Sequence, residues 1–142
     1  MPGRSPSTAR SSTRFSHFTG MLRGADLSRA VASLDVVVHP GPYETFCQAA
    51  QEAMASGVPV VAVGAGGLRD LVDSSRTGWL YPPGDLAALR AYVADLAGDD
   101  SKRAAMGTAA HHAVRARTWP VVCDRLLRFY DQAAHNVVLR ES

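Results

Sequence analysis

The sequence predicts an α/β domain built on a parallel sheet. Three observations predict it. Two continuous runs rich in β-branched residues, DVVVHP (35–40) and VPVVAV (58–63), read as strands buried on both faces. An alanine-rich helical segment, TFCQAAQEAMASG (45–57), lies between them and stops at Gly57. Strand and helix then alternate again through TGWLYPP (77–83) and GDLAALRAYVADLAGD (84–99), the rhythm of parallel βα units. The 142 residues amount to about one domain.

Each element has a local reason. After Met1, MPGRSPSTARSSTR (1–14) holds only serine, threonine, proline, small residues and three arginines, cannot bury apolar area, and is expected to be a disordered basic tail. Order is expected from 15 to 135, with a short tail at 136–142. SHFTGML (16–22) has the content of a short strand. ADLSRAVASL (25–34) places Leu27, Ala30, Val31 and Leu34 on one helix face. After the second buried run comes GAGG (64–67), then a short helix, LRDLVD (68–73). Asp85 is placed to cap the helix that follows TGWLYPP. Residues 101–117 and 118–135 read as two more helices, with Pro120 in the first turn of the last. The sheet is expected to hold about four parallel strands.

Composition excludes several classes. Hydrophobic residues make up 46% and charged residues 20%, a globular balance. No apolar run is long enough to span a membrane, and no apolar stretch of a secretory leader opens the chain. Arg4, Arg10 and Arg14 carry the excess of positive charge, leaving 12 basic and 13 acidic groups in the other 128 residues. Nothing in that nearly neutral body reads as a nucleic-acid surface. Cys47 and Cys123 lie far apart, which rules out a disulfide scaffold and a thiolate zinc site and points to a reduced, cytosolic setting.

In parallel sheets ligands bind beyond the carboxyl ends of the strands. The loop HPGPYETF (39–46) is such a place, joining a buried strand to a helix start. Thr45 is expected to cap that helix. The N–H groups of Phe46, Cys47 and Gln48 would then lack intrahelical partners and form a site for an anion or for hydroxyl oxygens. Glu44 stands at the rim, and Glu52 two turns further along. A carboxylate accepts two hydrogen bonds from a vicinal diol. Two carboxylates so spaced could hold a sugar and a ribose, with a diphosphate between them. On spacing alone the pair is equally a loop acid and a solvated helix acid. His39 either bonds the loop or serves the site. Gly66 and Gly67 form either a tight turn or a close backbone approach to a ligand. GAGG does not fit the dinucleotide or P-loop patterns. His111 and His112 are adjacent and do not make a metal pair, and Trp79 and Trp119 read as core or interface anchors.

The stretch HPGPYETFCQAAQEAMASGVPVVAVGAGGLRDLV (39–72) resembles the retaining glycosyltransferases of family four. The shared pattern is an acid, seven residues, Glu, an Ala-Met-Ala helix, Gly-x-Pro-Val-Val-Ala and a Gly-Gly turn. Glu44, Glu52, Ala53, Met54, Ala55, Gly57, Pro59, Val60, Val61 and Ala62 fit it. TGWLYPPGD and RTWPVVCDRLLRFYDQ (117–132) look like two later blocks. The YETF wording looks most like GDP-mannose-dependent α-mannosyltransferases of actinobacterial envelope glycoconjugates. The resemblance implies the GT-B fold, with residues 15–135 as its Rossmann-like, C-terminal donor-binding domain in a three-layer sandwich. It implies Glu44 as the candidate catalytic residue on the donor sugar. Glu52 would take the ribose, with Thr45 and the N–H groups of Phe46, Cys47 and Gln48 around sugar and diphosphate. It implies no metal and no cofactor, only a nucleotide-sugar substrate, GDP-mannose. The family usually has glycine at position 47; a first-turn residue needs no positive φ, so cysteine is expected to fit.

By the same resemblance, an acceptor-binding N-terminal domain and the first two strands of the donor domain have no counterpart here. Three readings stay open at this point. The chain is the donor half of a glycosyltransferase, inactive alone and completed by a longer chain or a partner chain. Otherwise it is a non-catalytic nucleotide-sugar-binding module, or an inert interaction remnant. The first reading places the whole enzyme in the cytoplasm, with peripheral association at the inner face of the membrane.

Overall fold

Val60–Val63 is the middle strand of the sheet, and every one of its residues is buried. The computed structural model describes residues 16–138. In chain order the elements are α1 (Gly24–Ala32), β1 (Val37–His39), α2 (Gln48–Ala55), β2 (Val60–Val63) and α3 (Leu68–Leu71). Then come β3 (Gly78–Tyr81), α4 (Leu86–Ala97), α5 (Asp100–Val114) and α6 (Trp119–Val138). The sheet has three parallel strands in the order β1-β2-β3. Val38 pairs with Val61, and Val61 with Trp79. The basic segment 1–14 and residues 139–142 lie outside the described residues.

The core forms where β2 meets the helices. Met54 of α2, Leu68 of α3 and Leu96 of α4 are fully buried against Val60 and Val61. Burying a side chain of this size contributes roughly 1.5–3 kcal/mol. Asp85 caps α4 as expected, its carboxylate accepting from the Ala88 N–H at 2.9 Å. Trp79 of β3 stacks on Tyr92 of α4 at 4.7 Å, and its Nε1–H donates to Asp95. Lys102 of α5 bonds the same carboxylate at 2.6 Å, holding Asp95 below its usual range and raising its own ammonium. Trp79 is therefore the anchor of α4 and α5 on the sheet.

Two sequence expectations fail here. The fourth strand does not form: residues 16–23 have no regular structure, and Phe18 and Met21 are 86% and 80% exposed. Gly20 takes a φ of +70°, which breaks the extended run, and among the described residues no strand pairs with it to supply ladder bonds. DVVVHP in turn is not buried on both faces. It becomes a three-residue edge strand in which Val38 is exposed and Val37 and His39 are half-buried. A β-branched run marks a strand, but its burial depends on neighbours that the run itself does not specify.

The last helix stands apart from the core. Its described side chains are all exposed, including Leu126, Leu127, Phe129 and Tyr130. One contact ties its start to the site loop: Trp119 stacks on Phe46 with centroids 5.8 Å apart. Among the described residues, no helix is long and apolar enough to cross a membrane.

Candidate functional site

The loop between β1 and α2 is held from below by the Gly-Gly turn. The Gly67 N–H donates to the Glu44 carbonyl at 2.8 Å. A Cβ on Gly66 would stand 2.6 Å from the Glu44 carbonyl oxygen, and one on Gly67 only 2.3 Å from that of Thr45. Gly66 also needs its left-handed φ of +54°. These two glycines therefore let the backbone of one loop lie directly on the other. Their close approach is to residues 44–45.

The helix start differs from the sequence expectation in two ways. Thr45 is not the cap; α2 begins at Gln48, and Cys47 occupies the cap position with no side-chain cap bond. Cys47 moreover adopts φ +56° and ψ +43°, left-handed, where a first-turn conformation was expected. The reason is packing. Its side chain is 1% exposed, and its Sγ would lie 3.3 Å from a Cβ on Gly67, so the chain turns sharply to bury the thiol on the Gly-Gly turn. A non-glycine residue in this region costs on the order of 1–2 kcal/mol, which the buried contact offsets. Burial pushes the thiol pKa up, and the nearby Glu44 and Asp70 carboxylates push it further. The thiol is thus a packing group and not a nucleophile.

Side chains finish the loop. Gln51 Nε2 donates to the Phe46 carbonyl at 2.6 Å, a role that its place one turn into a helix did not announce. The first intrahelical bond runs from the Gln51 N–H to the Cys47 carbonyl. The N–H groups of Phe46, Cys47 and Gln48 donate no hydrogen bond within the described residues. They stand at the positive end of α2. Glu44, just before them in the chain, is half-exposed, with its Oε1 3.8 Å from His39 Nε2. Glu52 follows them on α2, accepting from Gln48 Nε2 at 3.1 Å. It lines a cleft of about 260 Å³ together with Phe46, Gln48, Arg117 and Trp119. Glu44 is not among the residues of that cleft. Thr45, Phe46 and Gly67 line a neighbouring groove with Asp70 and Arg117. His39, Glu44, Thr45, Phe46, Cys47, Gln48, Glu52, Gly66 and Gly67 thus all lie on or against one loop and one helix start. Arg117, the cation beside them, opens the block RTWPVVCDRLLRFYDQ, but its place beside the loop shows only in the fold, because it follows α5 in the chain.

The family profile described as glycosyl transferases group 1 matches residues 13–113. The chain belongs to the group 1 glycosyl transferases. A GDP-mannose-dependent alpha-mannosyltransferase of Mycolicibacterium smegmatis is 57% identical over 124 residues, 87% of this chain and 32% of the relative. The chain therefore spans about a third of that relative's length. Among solved structures, sucrose-phosphate synthase from Thermosynechococcus elongatus superposes with a TM-score of 0.69 at 31% identity, over 75% of this chain and 27% of that one. HepE of Anabaena in complex with UDP gives 0.65 at 29% identity, over 78% and 30%. This glycosyl transferase chain thus has an α/β fold with a parallel sheet that matches about a third of larger solved proteins.

Proposed function

We propose that residues 15–135 are the donor-binding domain of a glycosyltransferase that moves mannose from GDP-mannose to an acceptor with retention. The nucleotide-sugar reading is carried by one observation: the N–H groups of Phe46, Cys47 and Gln48, which donate no hydrogen bond within the described residues, lie at the start of α2 between Glu44 and Glu52 in the chain. Glu44 accepts hydrogen bonds from hydroxyls of the donor sugar. The N–H groups of Phe46, Cys47 and Gln48, with the dipole of α2, hold the diphosphate and stabilise its charge as it leaves. Glu52, steadied by Gln48, takes the ribose diol. Mannose and GDP are assigned from the 57% identity to the mycobacterial enzyme. The acceptor is held by a further domain or a partner chain, because transfer requires both substrates in one geometry. A buried and an exposed free thiol, Cys47 and Cys123, fit a reducing compartment, and we place the whole enzyme in the cytoplasm.

Calorimetric titration of the 142-residue chain tests this reading. GDP-mannose is expected to bind saturably and at least tenfold tighter than UDP-glucose, the margin set by about 1.4 kcal/mol of discrimination. Equal affinity for both would refute the assignment of GDP and mannose. No saturable binding of either would refute the donor-site reading itself.

A further inference from the structure

His39 ends β1 with its side chain 15% exposed, and it makes no hydrogen bond to the loop above it. Its Nδ1 is buried without a partner among the described residues. A Cβ on Gly41 would stand 3.5 Å from its Cε1, so the ring lies close under the loop. A buried N–H without a partner is rarer than a buried acceptor without one, so the unpartnered Nδ1 is the ring nitrogen without hydrogen and Nε2 carries it. The charged group facing it is Glu44, whose Oε1 is 3.8 Å from Nε2. A neighbouring carboxylate favours the tautomer with hydrogen on Nε2. From 3.8 Å, a small rotation of the half-exposed Glu44 side chain closes a bond of ordinary length.

We propose that His39 is a positioning residue for Glu44. Its Nε2–H takes one carboxylate oxygen and leaves the other for the donor sugar. Without that bond Glu44 is a flexible side chain at a rim. With it, one acceptor atom is fixed before the ligand arrives, which lowers the cost of ordering on binding. The inference rests on the reading of Glu44 as the group that meets the sugar.

Two measurements on the full chain test it. The first needs no ligand. Long-range ¹H–¹⁵N spectra at neutral pH are expected to show His39 with hydrogen on Nε2, and Glu44→Ala is expected to shift the Nε2 resonance. Hydrogen on Nδ1, or a resonance indifferent to Glu44→Ala, would overturn the proposal. The second is a comparison of GDP-mannose with GDP as probes. His39→Phe is expected to weaken GDP-mannose about tenfold, the scale of one lost charge-assisted bond, and to leave GDP unchanged. His39→Gln, whose amide nitrogen can stand in for Nε2, is expected to restore most of the loss. In a Glu44→Ala background His39→Phe is expected to have no further effect. Equal losses for both probes, or the same loss in that background, would reduce His39 to a structural residue. If Glu44→Ala weakens GDP-mannose but His39→Phe does not, this inference alone falls. If Glu44→Ala itself changes nothing, the sugar reading falls and takes the positioning role with it.

Discussion

Replacing Gly67 by alanine is expected to lower the melting temperature by roughly 5–10 °C and to abolish nucleotide-sugar binding. Gly67 has a φ of −64°, a helical value that alanine adopts without strain. The entire cost comes from contact: the new Cβ would stand 2.3 Å from the Thr45 carbonyl oxygen and 3.3 Å from the Cys47 Sγ. Neither can yield without moving the loop that carries Glu44. Overpacking of this kind costs about 1–3 kcal/mol, and the displaced loop no longer presents its N–H groups together. Gly84→Ala is the control. Gly84 has a φ of +82° but open space around it, so that change brings backbone strain of ~1–2 kcal/mol and leaves the site in place. Thermal unfolding by circular dichroism, with a GDP-mannose titration of each variant, separates the two. A Gly67→Ala protein that melts and binds like the wild type would contradict the stacked-loop description.

The second large effect concerns the two glutamates. Glu52→Ala is expected to weaken GDP and GDP-mannose alike, by ~10- to 150-fold, because each contains the ribose. Glu44→Ala is expected to weaken GDP-mannose on the same scale and leave GDP untouched. The geometry supports the division. Glu52 lines the cleft beside Phe46, Arg117 and Trp119, and Glu44 stands outside it toward His39. Calorimetry with the two probes and two variants is the check. Equal losses of GDP affinity in both variants would contradict the assigned roles.

Where a residue's role is local, the sequence showed it. Asp85 caps the next helix through its own carboxylate, and Val60–Val63 forms a strand because its residues are apolar and mostly β-branched. The helix after GAGG follows from the apolar Leu68 and Leu71 that both bury. The family pattern likewise put Glu44 to Gln48 on one loop and helix start, with Glu52 two turns along the same helix. What local pattern did not show depends on neighbours. SHFTGML has strand-like residues but, among the described residues, no strand paired with it, so it stays irregular. Thr45 has a capping side chain, but burial of the Cys47 thiol on Gly67 moves the helix start past it. Cys47 itself was expected to avoid positive φ, and the same contact forces it there. His39 was open between a loop bond and a site role; it makes no loop bond and faces Glu44. Gln51 and Arg117 enter the site only through the folded chain.

The central claim is that the start of α2 holds the diphosphate of a nucleotide sugar. A titration of ¹⁵N-labelled chain with GDP-mannose, followed amide by amide, tests it most directly. The expected result is saturable shifts of the Thr45, Phe46, Cys47 and Gln48 amides, together with Gly66 and Gly67, whose backbone supports them. Shifts confined to the groove along α6, around Val121 and Arg125, with the residue 45–48 amides unmoved, would contradict it.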